Sequence, residues 1–143
     1  MLAPLLARTI VTALAAGQGA APLFIDLNRT HATHPLWPGH ARFHVVWQTF
    51  TQALGSAAVV ALLWWAGPGV SQRFYLAALF TALPLAGFLF ALFARRLYAG
   101  TLHDPNGIAP VRIPLRSRAV ELDMNLVLVG VASVLLVAAV LIF

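Results

Sequence analysis

Four long apolar blocks dominate this chain, at about 2–25, 43–66, 74–93 and 119–143. Each has the roughly 20 residues that a helix needs to cross a hydrocarbon core. Hydrophobic residues make up 61% of the 143 residues and charged ones only 9%, against about 25% charged in a typical soluble domain. A soluble fold of this size could not bury so much apolar surface and still present a wettable exterior, so lipid is the expected solvent. The expected fold class is all-α: one integral membrane domain, residues 1–143, folded as a four-transmembrane-helix bundle.

The first block differs from the others. It carries Arg8 and Gln18 and is rich in small residues, among them Ala13, Ala15, Ala16, Gly17, Gly19, Ala20 and Ala21. Such a stretch partly resembles a signal peptide. Its only charge follows Leu5 and Leu6, and the apolar run after Arg8 is short, so a retained helix is expected. Its small residues suit close helix packing.

The connections are punctuated. Gly67-Pro68-Gly69 joins blocks two and three as a tight helical hairpin, with Trp64 and Trp65 before it as an interfacial belt. The loop between blocks one and two carries Pro35, Pro38 and Gly39. The loop between three and four carries Asp104-Pro105-Asn106-Gly107, a turn signal, then Pro110 and Pro114. From Ile108 to Arg118 apolar residues alternate with arginine and proline, as in an interfacial segment lying on anionic headgroups.

The net charge of +5 comes from nine arginines and no lysine. They border the apolar blocks and form no single basic face, which excludes a nucleic-acid partner. Arg29, Arg42, Arg95, Arg96, Arg112, Arg116 and Arg118 flank the two longer loops, and only Arg8 and Arg73 lie at the opposite ends. With four spans, the positive-inside rule puts both long loops in the cytoplasm and both termini outside, in a bacterial inner membrane. There is no cysteine, which excludes disulfides, thiolate metal sites and a cysteine redox pair.

Polar residues concentrate in 26–44. Four of the five histidines, His31, His34, His40 and His44, lie there with Asp26, Asn28 and Trp37. His40 and His44 are four apart and project from one helix face. That face continues through Gln48 and Gln52 as a polar stripe, expected to turn inward. The fourth block opens with Glu121, Asp123 and Asn125; read as a helix, it puts Glu121 and Asn125 on one face. All five histidines and all four carboxylates, His103 and Asp104 included, are thereby expected at one membrane edge.

Three chemistries fit. In the first, His40, His44 and His31 hold a divalent metal (zinc, iron or copper), with Asp26 or Glu121 completing the site. In the second, His31, His40 and His44 with Asp26 and Glu121 perform metal-free acid–base catalysis. In the third, the histidines contact headgroups, the carboxylates pair with arginines, and Trp37 and Trp47 are belt residues. Membrane di-iron oxygenases need about eight histidines and five are present, so a full site of that kind is not expected. No nucleophile-elbow, phosphate-loop or dinucleotide motif is present.

Residues 26–44 resemble a signature of an uncharacterised family of small multi-span membrane proteins of bacteria and fungi. It reads here as Asp26, Asn28, Thr30-His31, His34-Pro35, Trp37, His40-Ala41 and Phe43-His44. His34 stands where that family has Asn, and Gly39 where it has Pro. The resemblance covers about nineteen residues and implies a multi-span membrane protein of no established activity. A fainter likeness, in scale and in the Pro-then-His approach to the second helix, is to small membrane mutases of the hydroxylaminobenzene type.

The leading expectation is a small membrane enzyme acting on a lipophilic substrate, an isoprenoid, sterol-like or aromatic compound. His31, His40, His44, Asp26 and Glu121 would carry the chemistry. Asn28, Trp37, Trp47, Gln48, Gln52 and Asn125 would bind the substrate. The alternatives are a non-catalytic subunit of a homo-oligomer or larger membrane complex, and a proton-relay or transport protein. The last is weakened by the lack of any carboxylate deep in the bilayer.

Overall fold

The computed structural model describes residues 2–103, 108–116 and 118–143. It comprises α1 (Leu2–Ile25), α2 (Gly39–Trp64) and α3 (Val70–Ala94), with a 3₁₀ turn at Arg95–Tyr98. A hairpin of β1 (Val111–Leu115) and β2 (Arg118–Leu122) follows, then α4 (Met124–Ile142). Among the described residues this hairpin is the one β element and the remaining regular elements are helical. The Asp104–Gly107 turn motif lies outside the described residues.

Two boundaries differ from expectation. Helix α2 starts at Gly39 because Pro38, extended at φ −63° and ψ 150°, forms its N-cap, and the Pro38 carbonyl already accepts from the Arg42 N–H. The fourth helix starts at Met124, five residues later than the apolar block predicts. Residues 118–122 pair instead with 111–115 in an antiparallel ladder. The Asp123 carboxylate then accepts from the Leu126 N–H at 3.1 Å and opens α4.

The helices alternate in direction. Arg8 of α1 lies over the Trp64 ring at the far end of α2, 4.4 Å from its centroid, and donates to the Leu63 carbonyl. Phe74 near the start of α3 stacks on Phe143 after α4, with centroids 3.7 Å apart and planes within 6°. Thus the 26–38 loop shares one edge of the bundle with the end of α3 and the start of α4, and 65–69 lies at the other with the first turn of α1 and the end of α4.

Helix α1 packs through a single narrow stripe. Ala7, Val11, Ala15 and Gly19, at every fourth position, are all buried and form a small-residue stripe. The stripe lets α2 approach so closely that a Cβ on Gly19 would lie 2.5 Å from the Ser56 Cβ. Val59 and Leu63 of α2, Phe74, Ala77, Ala78 and Leu85 of α3, and Leu136 and Ala139 of α4 complete the core. Between α2 and α3, Gly69 takes a left-handed φ of 77°. Arg73 then folds back and donates to the carbonyls of Leu62, Trp65, Gly67 and Pro68. A cation here satisfies the orphan carbonyls and the negative dipole end of α2.

Among the described residues, three helices are long and apolar enough to cross a membrane: Gly39–Trp64, Val70–Tyr98 and Met124–Ile142. Most of their side chains are exposed, as suits contact with lipid. Helix α1 is not among the three, since Arg8 and Gln18 lower its hydropathy. Both side chains are nonetheless turned onto neighbouring helices: Gln18 Nε2 donates to the Thr81 carbonyl of α3 at 3.1 Å.

Candidate functional site

The polar residues of the histidine-bearing edge divide into separate groups. The first is built by the 26–38 loop. Asn28 donates to the Phe24 carbonyl at 2.7 Å, ending α1, and accepts from the Thr30 N–H and hydroxyl, each at 2.8 Å. This tight turn presents His31 to Asp26, with Nδ1 3.6 Å from Oδ1, and to the Thr30 hydroxyl at 2.9 Å. The indole of Trp37 meets the His31 ring edge-on at 5.3 Å and lies tilted against His34 at 5.7 Å. His34 is buried, and its Nδ1 accepts from the Leu36 N–H at 3.2 Å. It therefore acts as a loop-forming residue. Partial burial raises the Asp26 carboxyl above its ordinary value, and the nearby His31 offsets this in part.

The second group lies on the first two turns of α2. His40 and His44 face each other with Nε2 atoms 3.0 Å apart. In such a bond one ring donates and the other accepts, the tautomer deciding which. The ring of Trp47 lies 5.7 Å from His44.

Several expectations change here. The metal reading needs His31 beside His40 and His44, yet among the described residues no three His, Asp or Glu side chains come together to hold a metal. The loop turns His31 onto Asp26 and Trp37, while the α2 pair projects from an exposed face. Glu121 does not face the histidines from a helix. It lies on β2, exposed, and binds Arg112 across the ladder at 2.8 Å. With Glu121 in a strand and Asn125 exposed in the first turn of α4, the two share no helix face. His103 is exposed beyond the 3₁₀ turn, and Asp104 lies outside the described residues. Asn28 spends its amide on the backbone around it, leaving it a structural part to play.

The stripe itself also points elsewhere than expected. His40, His44 and Gln48 are exposed and Gln52 is half-buried. The buried side of α2 carries Thr49, Val59 and Leu63. Successive residues turn about 100° round a helix, so packing Thr49 inward leaves Gln48 outside. Periodicity showed that the polar residues share a face but not which face the small-residue stripe of α1 would cover.

The outward stripe leads into a cavity. His44, Trp47, Gln48, Thr51 and Gln52 line a trough of about 290 Å³ on α2. Thr51 and Gln52 also line a second recess of about 210 Å³ between α2 and α3, floored by Ala15 and Gln18 of α1. Its polar lining adds Ser56 and Thr81, and Phe80, Leu83 and Pro84 form its α3 wall. Two prolines inside helices sharpen its chemistry. Pro84 has no N–H to return to the Phe80 carbonyl, and Pro22 none for the Gln18 carbonyl. Both deprived residues line the recess. Sequence reasoning found Gln48 and Gln52 but missed Gln18, Thr51, Ser56 and Thr81. The prolines placed four residues after Gln18 and Phe80 were the signal that could have found two of the lining residues.

Comparison with known proteins returns no match: no family model fits the chain, and no curated sequence or solved structure is significantly similar. The likeness at 26–44 rests on its motif alone.

Proposed function

We propose that the chain is a four-span membrane protein that takes a lipophilic molecule sideways from the bilayer into the α2–α3 recess, as a small membrane enzyme would. The observation that carries this reading is that trough and recess share Thr51 and Gln52 in their linings. Gln18 Nε2 is bonded to the Thr81 carbonyl and the Thr81 hydroxyl to the Ala77 carbonyl, so the polar groups offered to a ligand are those of Thr51, Gln52 and Ser56 with the proline-freed carbonyls, where lipid supplies no water. A ligand with an apolar body and a hydroxyl, carbonyl or amine would satisfy them. His44 lines the trough and bonds to His40 one turn away, and imidazoles there suit acid–base chemistry on the polar end of the ligand. The arginine asymmetry supports a cytoplasmic position for this pair, in a bacterial inner membrane. Arg8 and Arg73 strengthen that argument, since both bind the carbonyls at the end of α2.

Photolabelling tests the reading. A long-chain alcohol bearing a diazirine, added to the protein in lipid nanodiscs, should label the 44–56 segment in preference to the other lipid-facing helices. Thr51→Leu/Gln52→Leu should abolish that preference. Even labelling along α2, α3 and α4 would sink the ligand reading.

The exposure of Gln48 and Thr51 favours one rival. A polar stripe facing lipid can also hydrogen-bond to a helix of a second copy or of a larger complex. Constant co-purification of another chain, released by the same double substitution, would favour that subunit role.

A further inference from the structure

The hairpin between α3 and α4 is amphipathic in a way that only its register reveals. Residues directly opposite in an antiparallel pair share a face. Val111 opposes Leu122 and Ile113 opposes Val120, and at the turn end the same face carries Leu115 opposite Arg118, so an arginine borders the apolar surface there. The other face carries the Arg112–Glu121 ion pair and Pro114 opposite Ala119. Val111, Ile113, Leu115, Val120 and Leu122 are all exposed, so the bundle does not cover the apolar face. An isolated two-stranded hairpin is at best marginally stable in water, which makes an uncovered apolar face on one a demand for a partner.

We infer that this face lies on the membrane, seated at the headgroup–acyl boundary, with the turn end bound to anionic lipid headgroups. Three observations select lipid as the occupant. Helix α4 begins two residues after β2 and is long and apolar enough to cross a membrane, so the hairpin is tethered where the chain meets the bilayer surface. The hairpin has three arginines against one glutamate. Arg112 takes that glutamate, which leaves Arg116 and Arg118 beside the turn to complement negative headgroups. The inference rests on α4 crossing the bilayer and is independent of the ligand reading.

Adjacent cysteines on opposite faces provide the test, in a chain with no cysteine of its own. Val120→Cys and Ala119→Cys, each carrying an environment-sensitive fluorophore, are placed in nanodiscs so that iodide reaches both surfaces. The label at 120 should emit further to the blue and resist iodide, and the label at 119 should not. Ile113→Cys and Arg112→Cys repeat the comparison on the other strand if either protein fails to fold. Replacing neutral lipid with a mixture containing phosphatidylglycerol should strengthen the shielding. Arg116→Gln or Arg118→Gln should weaken its lipid-charge dependence by about fivefold per arginine. Equal quenching at 119 and 120, or shielding indifferent to lipid charge, would overturn the inference. So would shielding found only with two copies per disc, which would assign the face to a second chain.

Discussion

Several side chains that look chemical in the sequence turn out to build the loop that holds them. Asn28 and His34 shape the 26–38 turn through backbone hydrogen bonds, and Glu121 is spent on Arg112. Residue type and spacing showed where polarity gathers. They could not show which groups pair locally, because that depends on the path of a loop with no periodicity. Asp26 illustrates the consequence. Burial raises its carboxyl, so the folded chain holds the proton more tightly than the unfolded one. Its contribution to stability is full below the ordinary carboxylate range and is lost as pH rises through the raised value. Asp26→Asn removes the charge that burial disfavours. Its stability at neutral pH should equal or exceed that of the parent, by no more than about 1 kcal/mol once solvent screening is allowed for. Thermal unfolding in detergent from acidic to neutral pH should also show a flatter profile. A loss of stability at neutral pH would mean that pairing with His31 outweighs burial.

The helices were largely legible as elements because a period of 3.6 and a length near 20 are local properties. The first apolar block coincides with α1, and the bounds of the second and third shift by four residues or fewer. The hairpin was not legible. Ala119, Val120 and Leu122 extend the apolar run of α4, and nothing local distinguishes a first helical turn from a strand. Only pairing with 111–115 decides it. Of the small residues expected to pack, only Ala15 and Gly19 are buried, while Ala13, Ala16, Gly17, Ala20 and Ala21 are exposed. Gly19 faces Ser56 with no room for a Cβ, whereas a Cβ on Gly17 meets nothing within 4 Å. Gly19→Val should therefore lower stability by about 1–3 kcal/mol through overpacking. Gly17→Ala should be neutral or stabilising by about 0.5–1 kcal/mol, as for glycine inside any helix. Equal effects at both positions in reversible unfolding would mean that the α1–α2 contact is looser than the structure has it.

On the scale of the whole molecule, the role of α1 decides how everything else sits in the membrane. Mean hydropathy counts Arg8 and Gln18 against a span, but averaging ignores direction. Arg8 lies on the end of α2, near the opposite edge from the histidines, and Gln18 bonds to α3 within the bundle. A polar side chain satisfied by a neighbouring helix costs far less in lipid than one facing the acyl chains. Helix α1 also supplies the most deeply buried stripe of the core, and α2, α3 and α4 run in alternating directions around it. If all four helices cross, residues 3 and 67 share one side of the membrane, and residues 36 and 101 the other. Single cysteines at these positions, probed in intact cells with an impermeant maleimide, should give Ala3→Cys and Gly67→Cys labelled from outside. Leu36→Cys and Thr101→Cys should react only after the membrane is opened. Labelling of positions 3 and 36 from the same side would remove α1 from the spans, and the floor of the α2–α3 recess would then have to be formed without crossing the bilayer. Labelling of all four with sides exchanged would keep the bundle intact and turn the His40–His44 pair outward, showing that the seven arginines near the long loops do not set the orientation.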